Sequence, residues 1–404
     1  IIMANRNGGF IGTDGLDAPD PPTAVTPTAG NAQVSVAFTA PTDTGTSAIT
    51  GFVAQVSTDG TDYSAGSNTG TSSPIVVSSL TNDTAATAKV WAINAYGTSA
   101  PSDASASFTP AVPQKAFWFG RTTVNVFTSN FATLGNTTDW GYAMRYAAYN
   151  TGTASSATRA VQSGYSASSG DTQSKLIEQL NLASAGAGTN FGELNVNAAQ
   201  RNIGLSNGTR GIFTQGTDGS NSDVIEYVTI ANAGNAQDFG NLTAARSVNS
   251  ALASTTRGVV IGGYHSGGNF SNIMDYITIA STGNASDFGD TLIAVNGTQS
   301  CSNATRGVIS GGDVSGGTQN VIQYITIAST GDASDFGDLT HTLRYGGAGS
   351  SATRALFAGE FSGNANGINY ITIGSTGNAQ DFGDLTNNET NGVSCASTSH
   401  GGIS

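Results

Sequence analysis

An Asp-Phe-Gly tripeptide recurs in the second part of the chain, and a carboxylate beside a glycine turn can serve as a metal ligand. The aromatic residues are Trp140, Phe191, Phe239, Phe288, Phe336 and Phe382, and the acidic ones are Asp139, Asp238, Asp287, Asp335 and Asp381, with Asn190 in the remaining copy. Six copies favour a structural role over a single reactive centre. We expect each aromatic side chain to be buried, which contributes about 1.5–3 kcal/mol.

A second landmark is a Thr-Arg pair at a fixed distance from each tripeptide. Its arginines are Arg159, Arg210, Arg257, Arg306 and Arg354. The arginine and the carboxylate occupy fixed positions in each repeat. We therefore predict a bidentate ion pair between them, within or between repeats. The alternative is that each group caps its own turn or contacts solvent.

No other cluster predicts catalysis or metal binding. Asp332, Asp335 and Asp338 could hold Ca²⁺ through hard oxygen ligands, but their spacing matches no dedicated loop, so we expect turn capping. The three histidines, His265, His341 and His400, lie in three different repeats, and no HExxH, CxxC, GxSxG or P-loop motif is present. The sequence therefore predicts a non-enzymatic protein without metal or other cofactor.

The two cysteines occupy equivalent positions in repeats that are not adjacent. Cys301 and Cys395 each lie five residues before a repeat landmark, Arg306 and His400 respectively. Such sites should be farther apart than the Cα limit of about 7 Å for a disulfide. We expect two buried free thiols.

The landmarks belong to long repeats. Tyr276–Asp290 and Tyr324–Asp338 are identical at 14 of 15 positions and lie 48 residues apart, with looser copies from Tyr227 and Tyr370. About 48 residues accommodate four short strands with their turns, which is one blade of a β-propeller. Six aromatic-Gly landmarks predict an all-β chain whose residues 115–404 form a six-bladed propeller.

The ends of this region predict how it closes. The first repeat, which starts at Lys115, lacks the strand that precedes Thr-Arg elsewhere, and the last repeat supplies one from Asn391 onward. We expect this C-terminal strand to complete the first blade, because an open sheet edge invites aggregation. The tail His400–Ser404 would take the position that follows this strand, but the segment beginning at Lys115 already fills that position. A truncated seventh unit and a strand donated to a neighbouring copy remain alternatives.

Residues 20–110 alternate between apolar and polar in about seven short strands, which predicts a sandwich. In order, Pro21-Pro22, VSVAFTAP, ITGFVAQVS, SSLTNDT and VWAINAYGTSAPS resemble a fibronectin type III domain. Two positions depart from that family. This chain has Phe38 where the family usually has a Trp in the second strand, and Ala86 where the family usually has a Tyr in the sixth strand. Residues 111–114 predict a short stiff linker.

Residues 1–19 are rich in Gly, Asn and Asp, with one apolar patch at Phe10 and Ile11. We interpret them as a tether that orders against a partner, or else as a disordered tail. The paired-Gly strands are similar to kelch-type propellers. The arm, the fibronectin-like module and the YITIASTGNA-DFGD repeats together resemble virion structural proteins of tailed, cyanophage-like bacteriophages. That resemblance implies localisation in the virion, other virion proteins as partners and homo-oligomerisation.

The repeats differ most between the glycine pair and the Tyr-Ile-Thr-Ile strand, in loops that should share one face. Candidate binding residues there are Tyr264, His265, Asn269, Phe270 and Phe361. Aromatic faces with amide and hydroxyl groups suit host-surface carbohydrate. The alternatives are packing between subunits and plain surface loops without a ligand.

Charge and hydropathy narrow the function further. The net charge of −13 disfavours nucleic acid, because phosphate binding needs clustered Lys and Arg. No apolar run approaches the length of a membrane span, and the N-terminus lacks the apolar core of a signal peptide. We therefore predict a virion protein that does not enter a membrane, in a fibre, neck or tail appendage or as capsid decoration. A cellular surface adhesin is the alternative, and a glycan-active enzyme is a remote third.

Overall fold

The computed structural model describes ten segments of the chain: 17–120, 124–144, 151–163, 175–196, 202–214, 220–247, 250–265, 268–359, 366–386 and 393–402. All regular structure in these segments is β-strand, in antiparallel sheets. None of the described residues form a helix that could cross a bilayer. The chain divides into two compact units, one ending at Pro113 and the other beginning at Gln114.

The first unit contains seven strands in two sheets, ordered β1-β2-β5 and β4-β3-β6-β7. The strands are β1 (Thr23–Gly30), β2 (Gln33–Thr39), β3 (Ile49–Ser57), β4 (Gly66–Gly70), β5 (Ile75–Ser78), β6 (Thr87–Asn94) and β7 (Gly97–Thr98). Alternate side chains of β2, β3 and β6 are buried in one core, as expected for strands with one covered face.

Phe38 and Ala86, the two departures from the fibronectin pattern, both lie in this core. The ring of Phe38 packs against Phe52 at a centroid distance of 4.8 Å. Ala86 is buried and exchanges backbone hydrogen bonds with Phe108. The smaller side chain at position 86 is thus covered by an extended segment that follows the last strand.

The second unit contains six four-stranded antiparallel sheets, numbered here in chain order. Sheet 1 is β11 (Gly152–Ser155), β12 (Arg159–Ser163), β13 (Leu176–Asn181) and β14 (Thr189–Glu193); sheet 2 is β15 (Ile203–Ser206), β16 (Arg210–Thr214), β17 (Val224–Thr229) and β18 (Gln237–Asn241). Sheet 3 is β19 (Ser250–Ala253), β20 (Arg257–Ile261), β21 (Ser271–Thr278) and β22 (Ser286–Val295). Each of these sheets takes its strands in sequence order.

Sheets 4 and 5 repeat this plan, and sheet 6 combines both ends of the unit. Sheet 4 is β23 (Gln299–Ser302), β24 (Arg306–Ser310), β27 (Val321–Thr326) and β28 (Ser334–Asp338), with the ribbon β25 (Asp313–Val314) and β26 (Gly317–Thr318) inserted; sheet 5 is β29 (Gly347–Ser350), β30 (Arg354–Ala358), β31 (Gly367–Thr372) and β32 (Gln380–Asp384). Sheet 6 is β33 (Ser394–Ser397), β8 (Lys115–Phe119), β9 (Asn125–Asn130) and β10 (Thr138–Ala143).

The hydrophobic cores of this unit lie between neighbouring sheets. The cluster around Val308 and Ile322 of sheet 4, for example, also contains Phe357 and Ile371 of sheet 5. The second strands are buried from their second residue onward, because neighbouring sheets cover both of their faces. This explains why these strands are continuous apolar runs and do not alternate.

The C-terminal strand completes the first repeat, as predicted. β33 pairs antiparallel with β8, from Ser394 opposite Phe119 to Ser397 opposite Ala116. The first strands also contact each other in order from sheet 1 to sheet 6, and β33 contacts β11. Each first strand of the unit therefore contacts two others.

Candidate functional site

The recurring arginines connect neighbouring sheets through backbone carbonyls. Each arginine opens the second strand of one sheet, and its Nη1 donates to a carbonyl that follows the third strand of the next sheet. The pairs are Arg159 with Ile230 and Ala231, Arg210 with Ile279, Arg257 with Ile327, Arg306 with Ile373 and Arg354 with Phe131, at 2.6–2.9 Å. The predicted link between these arginines and the recurring carboxylates is therefore wrong. Among the described residues, Asp139, Asp238, Asp287, Asp335 and Asp381 are exposed and form no ion pair with them.

Four of the arginines also stack on a tyrosine of their own sheet. The guanidinium carbon lies 4.3–4.7 Å from the ring centroid of Tyr227, Tyr276, Tyr324 or Tyr370. Each tyrosine in turn meets the phenylalanine of the Asp-Phe-Gly segment edge to face, at 6.0–6.2 Å. Such stacking leaves the guanidinium N–H groups free to reach the carbonyl of the neighbouring sheet. The five Phe landmarks are buried as expected, whereas Trp140 is only half-buried.

A glycine contact joins the outer strands of neighbouring sheets. Between sheets 3 and 4, the Gly331 N–H donates to the Phe288 carbonyl at 2.7 Å, and the Ala333 N–H donates to the Asp290 carbonyl at 2.8 Å. Gly289 has φ +135°, and a Cβ there would lie 2.5 Å from the Gly331 backbone. Only glycine fits at such a close approach.

The same contact occurs at five boundaries. The glycine pairs are Gly192–Gly234, Gly240–Gly283, Gly289–Gly331, Gly337–Gly377 and Gly383–Gly135. At each of them a side-chain oxygen of the turn accepts a hydrogen bond from the opposite strand: these are Asn235, Asn284, Asp332, Asn378 and Asn136. Asp332 thus accepts from the Asp290 N–H of the preceding sheet, whereas capping of its own turn was expected. The described residues include no group of side chains that could hold a metal ion.

A third contact between neighbouring sheets comes from one position of the repeat at which the residue type varies. The residue before the third-strand tyrosine is Glu226, Asp275, Gln323 or Asn369, and its side-chain oxygen accepts from a backbone N–H of the preceding sheet. The shared property is an acceptor oxygen and not a charge. This position cannot be recognised from the sequence, because its residue type changes in every repeat.

The charged versions of this acceptor need further compensation. Burial raises the pKa of Glu226, partly offset by the hydrogen bond from the Asn195 N–H. Asp275 pairs at 2.9 Å with Arg246, and both side chains are fully buried. Arg246 also donates to the Gly262 carbonyl, and Thr243 donates to the Asp275 carboxylate. These contacts satisfy charges that would be costly to bury alone.

Two cavities lie between the first strands. The first, of about 100 Å³, lies at the end where these strands begin, and all six sheets contribute to its wall. Its polar lining includes Thr153, Asn202, Ser250, Ser300 and Ser394, with Tyr345 beside them. The loops between second and third strands leave the sheets at this same end, since each second strand runs antiparallel to its first.

The second cavity, of about 70 Å³, lies at the opposite end, and the C-terminal tail covers it. The Gly402 N–H donates to His400 Nδ1 at 3.0 Å, so Nε2 carries the proton and lies 3.2 Å from Ser206 Oγ. Burial lowers the pKa of His400 to about 4. The Gly401 N–H donates to the Ser302 carbonyl at 2.7 Å. The tail is thus neither a redundant strand nor the start of a seventh unit in the described part of the chain.

The two glycines of this tail are required because backbone carbonyls of other strands lie very close to them. A Cβ at Gly401 would collide with the carbonyl oxygens of Ala253 and Asn303, and one at Gly402 with that of Ser206. The three strand ends that meet the tail belong to sheets 2, 3 and 4. The tail therefore fills the space between first strands at this end.

Both cysteines are free, as predicted. Cys301 is buried, as expected, whereas Cys395 as a whole residue is only half-buried at the first cavity. Burial raises the pKa of Cys301 to about 12, and it raises the pKa of Cys395 as well. Both thiols are therefore protonated at neutral pH.

The structure brings together the predicted binding residues of one loop, which lies between β20 and β21. Tyr264 and Phe270 exchange a β-bridge and pack ring to ring at 5.7 Å, and the His265 N–H donates to the Asn269 carbonyl at 2.9 Å. Tyr264, His265 and Phe270 are half-exposed, and Asn269 is exposed. Phe361, and Phe10 and Ile11 of the proposed tether, lie outside the described residues.

Comparison with known proteins adds little. No protein family model matches the chain, and no curated protein matches it. Among solved structures, domains A168–A170 of titin match with 26% sequence identity over 24% of this chain and 33% of that one, at a TM-score of 0.23. The match thus spans a third of the titin structure, and a superposition this poor does not identify a fold.

Proposed function

We propose that the second unit is a six-bladed kelch-like β-propeller in which each sheet is one blade. Three observations support this: the six four-stranded sheets, the contact of every first strand with two others, and the completion of sheet 6 by β33. The paired glycines after the second strands have positive φ, at Gly262, Gly263, Gly311 and Gly312. Paired glycines at this position are the feature in which the chain is similar to kelch propellers.

The first unit is proposed to be a fibronectin type III-like sandwich. Its support is the strand order in two sheets, β1-β2-β5 and β4-β3-β6-β7, around a single core. The same segments carry the sequence resemblance. In the proposed protein this unit is a spacer.

The function we propose is that of a non-enzymatic virion structural protein, in a fibre, neck or tail appendage or as capsid decoration. Residues 1–19 attach it to other virion proteins, and the propeller presents one end to host-surface glycans or to neighbouring subunits. It acts outside the host cell as part of the particle, as a homo-oligomer, and it neither binds nucleic acid nor enters a membrane. The sequence resemblance to phage proteins is the basis for the virion assignment.

One observation carries the binding role. The recurring Arg, Phe and Gly residues are used at the boundaries between sheets, whereas the dissimilar loops and the polar cavity share one end of the unit. Residues that bind a particular ligand need not repeat six times. The end that varies is therefore the end we assign to recognition.

The binding role is tested with purified full-length chain on printed bacterial surface polysaccharides and on host cells. The double variant Tyr264→Ala/Phe270→Ala should weaken binding at least about tenfold, as expected when aromatic anchors are lost from an interface. Tyr96→Ala is the matched control, because Tyr96 is a half-exposed aromatic residue of the first unit. Unchanged binding by the double variant would refute the loops as the recognition surface.

The virion assignment is tested separately. Deletion of residues 1–16 should abolish incorporation into particles while the melting temperature of the remaining chain stays unchanged, because the buried Ala18 and the hydrogen bonds of Asp17 with Thr46 and Asn94 are kept. Normal incorporation of the shortened protein would contradict the tether. A cellular surface adhesin is the rival function, and detection of the native protein on cells but not in particles would favour it.

A further inference from the structure

Tyr345 has a backbone conformation that a tyrosine seldom adopts. Its φ is +53°, in the left-handed region. The aligned residue of the preceding repeat is Gly297, with φ +70°, and a Cβ on that glycine would lie 2.8 Å from the Tyr345 ring. Glycine therefore satisfies this backbone position elsewhere in the same chain. Strained non-glycine residues concentrate at binding sites, where the side chain has a role.

The tyrosine lies at the first cavity, where a buried acceptor has no partner. Asn202 lines the cavity and is 4% exposed. Its Nδ2 donates to Ser163 Oγ at 2.8 Å, whereas its Oδ1 accepts no hydrogen bond from any described residue. A buried polar atom without a partner is uncommon and calls for a ligand or a water. The hydroxyls of Thr153, Ser250 and Ser300 lie on the same wall.

The lining also limits the charge and size of a ligand. None of the described residues that line it is Asp, Glu, Lys, Arg or His. A charged ligand would lose its hydration without gaining a countercharge. The volume of about 100 Å³ is several times the roughly 10–15 Å³ that one water needs. The cavity therefore fits the edge of one neutral sugar ring and not a whole oligosaccharide.

We propose that this cavity is a subsite for the hydroxyl-bearing edge of a neutral sugar. Tyr345 stacks on the sugar face, Asn202 Oδ1 accepts from one sugar hydroxyl, and the serine and threonine hydroxyls solvate the others. This inference rests on the proposed glycan-binding function and names the residues that bind the terminal sugar. The loop residues Tyr264 and Phe270 then contact the rest of the glycan.

The test uses saturation-transfer NMR on the full-length protein with the methyl glycosides of glucose, galactose, mannose and rhamnose at millimolar concentration. At least one should receive saturation, and methyl glucuronide should not. Tyr345→Gly keeps a backbone-compatible residue and removes the ring, so binding should fall at least tenfold. Asn202→Leu should abolish the signal. Ser163→Ala removes the same internal hydrogen bond as Asn202→Leu without touching the cavity, and it should bind normally.

Ala348→Leu is a second variant that narrows the cavity and removes no hydrogen bond, so a folding defect in Asn202→Leu does not decide the result. Absence of transfer to every neutral glycoside overturns the inference, as does normal binding by both Tyr345→Gly and Ala348→Leu. The two proposals fail differently. Polysaccharide binding that survives the cavity variants leaves the proposed function standing, whereas loss of polysaccharide binding by wild-type chain removes both.

Discussion

Five boundaries between neighbouring sheets of the second unit have an outer join, whereas the described residues at the boundary between sheets 6 and 1 form none. At the five, an arginine reaches the carbonyl of the next sheet and two glycines meet. At the sixth, the residue aligned with the arginines is Lys115, whose Nζ lies 4.8 Å from the ring centroid of Trp140. A Cβ on Gly141, which aligns with Gly289, would meet nothing within 4 Å in the described chain. Ala187 replaces the Asn or Asp of the turn.

The sixth boundary is held mainly by apolar packing and by the first strands. Phe117 and Phe119 of sheet 6 share a cluster with Leu180 and Leu182 of sheet 1. Ser155 Oγ donates to the Ser397 carbonyl at 3.0 Å. Apolar burial is non-directional, whereas the five outer joins fix register through hydrogen bonds. The sixth boundary should therefore open first.

The comparison also explains why the Tyr-to-Asp segment changes little between repeats. Each Tyr-to-Asp segment is used at two boundaries, because its Gly-Asn or Gly-Asp turn meets the preceding sheet and its Phe-Gly meets the following one. A substitution in the segment disturbs both boundaries. Tyr276–Asp290 and Tyr324–Asp338 have joins on both sides, whereas the sheet 1 turn, at the sixth boundary, has none.

We expect the largest loss of stability when a methyl group is added to a glycine of an outer join. Gly289→Ala should destabilise the second unit by about 3 kcal/mol, because the Cβ meets backbone and φ is positive. The melting temperature measured by calorimetry should fall by roughly 6 °C or more. Gly141→Ala, the aligned change at the sixth boundary, has a positive φ but no collision, so it should lower the melting temperature by only about 2 °C. Equal effects of the two variants would contradict the difference between the boundaries.

Hydrogen exchange should report the same difference without mutation. The Gly331 N–H is bonded across a join, and the aligned Gly186 N–H makes no such bond in the described chain. Local opening is easier where fewer contacts must break, so Gly331 should exchange at least about tenfold more slowly. Amide exchange followed by NMR or mass spectrometry checks this. Similar protection of both amides would show that the sixth boundary is as tight as the others.

The arginine contact should have a smaller effect. Arg306→Lys should cost about 1 kcal/mol, because an ammonium cannot both stack on Tyr324 and reach the Ile373 carbonyl as the guanidinium does. Lys115→Arg, the reverse change at the sixth boundary, should leave stability unchanged or raise it slightly. Calorimetry of the two variants checks the pair, and a marked loss from Lys115→Arg would contradict the comparison.

The last prediction concerns acid. Burial holds the pKa of His400 near 4, below its unfolded value of 6.5, so the unfolded chain takes up a proton first as the pH falls below about 6.5. Stability should therefore decline between pH 6.5 and 4, and the tail beside Ser155 should loosen. In His400→Asn this decline should be smaller. Melting temperatures at pH 7 and 5 for both proteins measure it, and identical declines would exclude His400.

Local pattern predicted much of the fold because strand periodicity and turn chemistry are encoded within each repeat. The strand supplied from the C-terminus was predicted because Lys115 begins a repeat that lacks its first strand, and β33 confirms it. The Arg–Asp link was wrong because constant phase does not say whether two groups face each other. The arginine reaches the next sheet's carbonyl, while the carboxylates face solvent.

The sequence by itself determined the period, the all-β character, the free cysteines and the burial of the repeated phenylalanines, because these depend on residue type and local spacing. Tertiary structure decided which groups meet across a boundary. It brought Asn202 and Tyr345 to one cavity and set His400 against Ser206, although 143 and 194 residues separate these pairs. Such contacts depend on how whole sheets stack, and the spacing within one repeat contains no information about that.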